Sequence, residues 1–345
     1  MKHFLGQNCL GLEVLLNKFF WTQDCLRSDK GVALFLEMFY NSRHFVIIVM
    51  DKILLEFGAQ GCLHDSQFDR AQYDLNGFEP RVHSSILVLG ELREHFAGIV
   101  DFELLPYESA QGLPFSGGRP SLVSCVDDLS ELVELYGQRS TRFNLALNGG
   151  LNMSSEEADV GARDRDSELW KALTLLQSSG ETNGVKNCVT ILRDELLTVV
   201  KEFFPELATI ASCIKFTVDG VDEVLRAYED AFANYDNVVI LAQHSKPEFL
   251  KHLKEYASRM IVFPFIGCAV GNLNDCRRHY SFVERSWSTR YLCGNCRDSL
   301  DEREDDLHAL LDMGVRGFKF ARGGVSLDTR DVKDLIEPYF SKGTK

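Results

Sequence analysis

The chain has 345 residues, of which 45% are hydrophobic, so it has room for a sizeable core and is not a disordered segment. Lysine plus arginine number 37 against 51 aspartate plus glutamate, a net charge of −14 that disfavours binding nucleic acid over the whole surface. The amino-terminal stretch has no uninterrupted apolar segment followed by a small-residue cleavage site, and the run Phe45 to Met50 meets Asp51 and Lys52 at once. An intracellular, cytoplasmic protein without a membrane span is expected.

Residues 1–83 read as a helical extension, because Leu10, Leu12, Val14, Leu15, Phe19 and Phe20, then Val32, Leu34, Phe35, Met38 and Phe39, recur at roughly helical spacing. Its helices could offer a surface to a protein partner. Cys9, Cys25 and Cys62 have no metal-like spacing and read as buried thiols. His64 to Pro80, polar and holding Asn76-Gly77, reads as a linker or long loop.

From Ser84 a rhythm of short β-branched or aromatic runs and longer helical segments begins. Strands are expected at Ile86–Leu89, Val100–Leu105, Phe143–Leu147, Val189–Leu192, Thr209–Phe216, Val238–Leu241, Met260–Phe265 and Gly317–Phe320. Helices are expected between them, among them Glu91–Phe96, Val126–Tyr136, Glu195–Phe204, Val221–Ala233, Pro247–Tyr256 and Glu304–Met313. Eight strands alternating with helices pair in parallel, and the count favours a closed (β/α)8 barrel over 84–345. Chemistry in such a barrel sits where strands run into helices, at the C-terminal face. Those positions hold Glu108, Arg119 after a glycine-rich loop, Asn148-Gly149-Gly150, Gln243, His244, and Arg322. Asn148 offers a carboxamide to a substrate, although a plain turn explains it equally well. Arg119 and Arg322 put positive charge at the mouth of an acidic protein, which suits an anionic ligand or the charge of a cluster.

The loop after strand seven is the longest. It brings Cys268, Cys276, Cys293 and Cys296 within thirty residues, at C-x7-C-x16-C-x2-C. Soft thiolates in that density suit a four-thiolate zinc site or a [4Fe–4S] cluster, and the spacing alone does not separate the two. Arg277 and His279 follow Cys276; cationic or imidazole groups beside a thiol favour its thiolate and can donate hydrogen bonds to sulfur. His279 reads as a ligand, a donor to sulfur or a surface residue. Cys213 reads as a core thiol rather than a ligand. No Ser/His/Asp order, nucleophile elbow or H-E-x-x-H is present.

With these residues assembled, Ser84 to Phe340 resembles the collagenase-like peptidase family, the thirty-second of the unassigned class, with its relatives in ubiquinone biosynthesis and RNA hydroxylation. The resemblance rests on Arg119 and the strand Phe143 to Asn148, on the cysteine stretch, and on the ending Met313-Gly314-Val315-Arg316-Gly317-Phe318-Lys319-Phe320-Ala321-Arg322. The chain departs from the family in one extra residue between its first two cysteines and in Ala-Arg-Gly for Glu-Gly-Arg. The resemblance implies a barrel holding a [4Fe–4S] cluster on the four cysteines, with Lys319 and Arg322 near the site. It also implies O2-independent hydroxylation of a small-molecule or carrier-bound substrate. A zinc-stabilised scaffold and a peptidase are the alternatives.

Overall fold

The computed structural model describes residues 32–37, 46–59, 62–63, 77–97, 99–116, 123–218, 220–264, 266–268, 296–298, 304–320 and 327–341. Eight of its strands close into one barrel, each parallel to both neighbours. In chain order they are β1 (Ile53–Gly58), β2 (Phe102–Glu108), β3 (Asn144–Leu147), β4 (Cys188–Ile191), β5 (Ala208–Ala211), β6 (Asn237–Val239), β7 (Met260–Val262) and β8 (Gly317–Phe320). The last strand pairs with the first, Gly317 opposite Leu54 and Phe320 opposite Phe57. The (β/α)8 barrel expected from the strand rhythm is therefore the fold.

Around it run α1 (Phe78–His95), α2 (Val126–Gly137), α3 (Ser155–Arg163), α4 (Glu168–Asn183), α5 (Asp194–Phe203), α6 (Val221–Asn234), α7 (Glu304–Met313) and α8 (Thr329–Ser341). Each turns an apolar stripe to the sheet. In α2 the buried set is Leu129, Leu132, Val133 and Tyr136, the three-and-four spacing of one helix face. Ser154 caps α3 through a reciprocal box with Glu157, and Gly184 closes α4 in the left-handed conformation at φ 66°. Between β6 and β7 the chain makes a helical turn at Pro247–Leu250 and a 3-10 run over Lys251–Arg259.

Alternation along the strands divides two apolar layers. Leu55, Phe57, Leu145, Leu147, Val189, Ile191 and Phe318 are fully buried on the outer face, under the helices. Leu105, Cys188, Ala208, Ile210, Val239, Ile261 and Phe263 form one cluster inside the barrel, with Leu54, Cys213 and Ala242 packed against it. Each fully buried Leu, Ile, Val or Phe among them stabilises the fold by roughly 1.5–3 kcal/mol relative to exposure.

Three expectations are corrected. Ile86–Leu89 is not a strand but the middle of α1, whose buried residues include Val82, Ser85, Val88 and Leu92. The first barrel strand instead lies at Ile53–Gly58, inside the stretch 1–83 read as a helical extension, and Val32–Glu37 and Val46–Asp51 form an antiparallel hairpin rather than helices. The strand expected to reach Phe216 stops at Ala211, because Cys213–Phe216 turns into a 3-10 helix in which Ser212 accepts from Ile214 N. By chain contacts, 1–52 with 96–101 form one unit and 53–95 with 102–345 the other; the barrel belongs to the second.

Candidate functional site

Glu56 in Ile-Leu-Leu-Glu-Phe-Gly and Lys319 in Gly-Phe-Lys-Phe are each the single charge of a barrel strand whose other residues are apolar. Because β8 pairs with β1, Lys319 falls opposite Glu56 in register. Alternation sends both inward, with Leu54 and Gly58 on the same face as Glu56. The Glu56 side chain is fully buried and that of Lys319 is 11% exposed. A charge can stand there only when paired, and Lys319 Nζ donates to Glu56 Oε1.

The strands next to that seam complete the arrangement. Asn144, the first residue of β3, donates from Nδ2 to Glu56 Oε1 at 2.9 Å and to Thr190 Oγ1 of β4 at 2.9 Å. Thr190 Oγ1 lies 3.1 Å from Asn144 Oδ1, the acceptor for its hydroxyl. Tyr107 of β2 presents its ring face to the ammonium, with Nζ 3.7 Å from the ring centroid. Above this floor, toward the C-terminal end, come Gly58 on β1 and Ala146 on β3. Their small size leaves the pair covered by little from those two strands.

Glu56 Oε1 thus receives both Lys319 and Asn144. Glu56 Oε2, equally buried, has no hydrogen-bond partner among the described residues. Lys319 has three N–H groups, of which Glu56 and the Tyr107 face take two. One acceptor and one donor are left side by side inside the barrel. Chemically, such a pair can hold a polar atom of a ligand, supply positive charge to it and take up a proton from it.

A second group stands at the ends of β5 and β6. Leu241 N–H donates to Tyr228 Oη at 3.1 Å, and that oxygen lies 3.0 Å from His244 Nδ1. Tyr228 is fully buried, so its hydroxyl hydrogen needs an acceptor, and Nδ1 is the one in reach. The His244 proton is thereby assigned to Nε2. Burial lowers the His244 pKa to about 4, so the ring is neutral at pH 7, stacked on Phe249 with centroids 5.0 Å apart.

The residues singled out from the sequence fall in different places. Lys319 is at the centre of the site. Asn148 is half-buried in a turn whose backbone is tightly used: Gly149 N donates to Phe115 O at 2.7 Å, and a Cβ on Gly149 would overlap Ser116 O. Gly150, at φ 81°, continues that turn. Cys268 and Cys296 occupy a two-stranded antiparallel ribbon, Ile266–Cys268 with Cys296–Asp298, in which they are register partners. The ribbon lies beside the turn Ala242–His244 that follows β6. Cys276, Cys293, Arg277, His279, Arg119 and Arg322 lie outside the described residues. Among the described residues no cluster of three or more His, Cys, Asp or Glu side chains has metal-holding geometry. No described helix is long and apolar enough to cross a membrane. A cleft of about 390 Å³ lined by Lys186, Lys201, Asp236 and Arg259 opens at the strands' N-terminal ends, away from the face that carries chemistry in barrels.

Glu56 was not anticipated, although a signal for it was present. A lone carboxylate in one core strand and a lone amine in another imply each other, because neither can be buried alone. Asn144 and Thr190 were hidden because short polar side chains on strands are unremarkable in sequence.

The sequence matches no family model and no curated protein. Among solved structures, the chain is similar to the TTHB071 protein from Thermus thermophilus soaked with ZnCl2, at 14% identity over 59% of this chain and 89% of that one, with a TM-score of 0.36. It is also similar to the Ignisphaera aggregans GH53 catalytic domain, at 10% identity over 70% and 76%, with a TM-score of 0.37. A third is D-psicose 3-epimerase with D-tagatose from Clostridium cellulolyticum H10, at 12% identity over 67% and 84%, with a TM-score of 0.32. Likeness at these scores brings no family and no activity to this chain.

Proposed function

We propose that this chain is a (β/α)8 enzyme acting on a small or carrier-bound substrate at the C-terminal mouth of the barrel, with Lys319 and Glu56 as the charged pair of its reaction centre. One observation carries the reading: Glu56 is wholly buried, yet only one of its two oxygens is used. A buried pair that serves stability alone gains by having every atom satisfied. An acceptor left over beside an ammonium supports a place kept for a ligand atom. Lys319 then holds negative charge that develops on the substrate, and Glu56 takes or returns a proton. A library of small carbonyl, hydroxyl and carboxylate compounds, screened for turnover, tests this. Turnover that is undiminished in both Lys319→Met and Glu56→Gln refutes it.

A second reading makes the reaction oxidoreductive, an O2-independent hydroxylation at a [4Fe–4S] cluster held by Cys268, Cys276, Cys293 and Cys296, with Arg277 and His279 beside it. The observation that favours it is the register of Cys268 opposite Cys296, which sets the backbones of two of the four thiol residues next to each other. When bound, such a cluster supplies one-electron chemistry. Protein isolated without oxygen should then carry about four irons per chain, with most of the iron lost in Cys268→Ser. Stoichiometric zinc instead supports the scaffold alternative. Proteolysis that is lost when barrel-mouth polar residues are replaced would point to the peptidase, and proteolysis left unchanged would drop that alternative.

A further inference from the structure

The two unused valences in the barrel differ in sign, and that difference selects a ligand. Glu56 Oε2 is an acceptor that needs an O–H or N–H; the remaining Lys319 N–H is a donor that needs a lone pair. A carboxylate or phosphate satisfies Lys319 but sets negative charge against Oε2. An ammonium satisfies Oε2 but meets a like charge. A hydroxyl group does both at once, and its neutrality matches a pair whose own charges cancel. Asn144 and Thr190, at the same level, already satisfy each other and compete little for it.

We propose that the Lys319–Glu56 pair binds a hydroxyl of a neutral polyhydroxy substrate, the hydroxyl hydrogen going to Glu56 Oε2 and its oxygen receiving Lys319. This rests on the reading of Lys319 and Glu56 as the reaction centre, and it adds the chemical class of what they hold. No bond is made or broken in the binding step.

The geometry also supplies a variant that a purely structural pair would not explain. In Glu56→Gln, the position of Oε1 still faces two donors, Lys319 Nζ and Asn144 Nδ2, so the amide oxygen is held there and the amide N–H2 is turned to the place of Oε2. The open acceptor becomes a donor, and the site becomes a cation with two donors. Its preference should pass from neutral hydroxyls to anions.

Saturation-transfer NMR with glycerol, D-ribose, acetate and methyl phosphate reads this directly, on the full chain, with circular dichroism as the folding check. The wild type is expected to bind glycerol or D-ribose at least tenfold more tightly than acetate or methyl phosphate, and Glu56→Gln to reverse that order; a lost charge-assisted hydrogen bond accounts for about tenfold or more. Lys319→Met should weaken the hydroxyl probes in the wild type by a similar factor. Wild-type binding of acetate or methyl phosphate that disappears in Lys319→Met overturns the hydroxyl assignment and leaves the reaction centre standing. Probe binding that responds to neither variant, or no binding of any of the four, overturns both.

Discussion

Replacing Lys319 with methionine removes the ammonium and keeps a side chain of similar length, so it isolates the charge. Glu56 is then left fully buried with Asn144 Nδ2 as its one remaining donor among the described residues. Removing one partner of a buried ion pair typically costs about 3–5 kcal/mol, because the other charge stays desolvated. Here the lower half of that range is expected, since the Asn144 bond persists and Lys319 is 11% exposed. Glu56→Leu in the same background should restore most of the loss, because an apolar pair of comparable volume is often neutral or stabilising in such a place. Urea unfolding of the wild type, both single variants and the double gives the coupling energy from one cycle. A loss below about 1 kcal/mol for Lys319→Met at pH 7, the level of an exposed pair, would refute the picture of a desolvated pair inside the barrel.

Two other consequences are accessible to the same methods. His244 has its pKa depressed from 6.5 to about 4, so the folded state binds its proton less readily than the unfolded chain. The stabilisation is complete above pH 6.5 and lost as the pH falls toward 4, to a total of about 3 kcal/mol; His244→Gln, which keeps an acceptor for Tyr228, should flatten that part of the stability–pH curve, and an unchanged slope would count against the assignment. Gly149→Ala must displace Ser116 O from the place its new methyl would take, so a loss of roughly 2 kcal/mol or more in thermal or urea unfolding is expected. Wild-type stability in that variant would mean that the two loops do not approach as described.

Much of the barrel could be read from the chain because parallel strands covered on both faces appear as short unbroken apolar runs. Gly317–Phe320 and Glu304–Met313 have the bounds the sequence suggested, each being set off by a glycine or by a run of charges. The same property hid β1. Ile53 to Phe57 follows another apolar run, Val46 to Met50, with Asp51 and Lys52 alone between them, too short a break to mark two separate strands. Ile86-Leu87-Val88-Leu89 misled in the opposite direction. Its β-branched content suggests a strand, but it lies within an 18-residue helix whose packing overrides that propensity. At the site, Lys319 was legible as a lone charge in a core strand. Glu56 was not, because it belonged to a segment assigned to another element, and a pair can be read only when both members are placed.

The seam between β8 and β1 also bears on how the molecule is made. Its two charged residues are 263 positions apart, so nearly the whole barrel must be synthesised before the first strand can meet its last neighbour. Until then Ile53–Gly58 has one open edge and Glu56 has no counter-ion, and closing so long a loop comes late and slowly. A nascent chain released before Gly317–Phe320 emerges would keep an apolar strand with a bare carboxylate at its edge. Such a product should be held by chaperones or degraded rather than accumulate as a seven-stranded form.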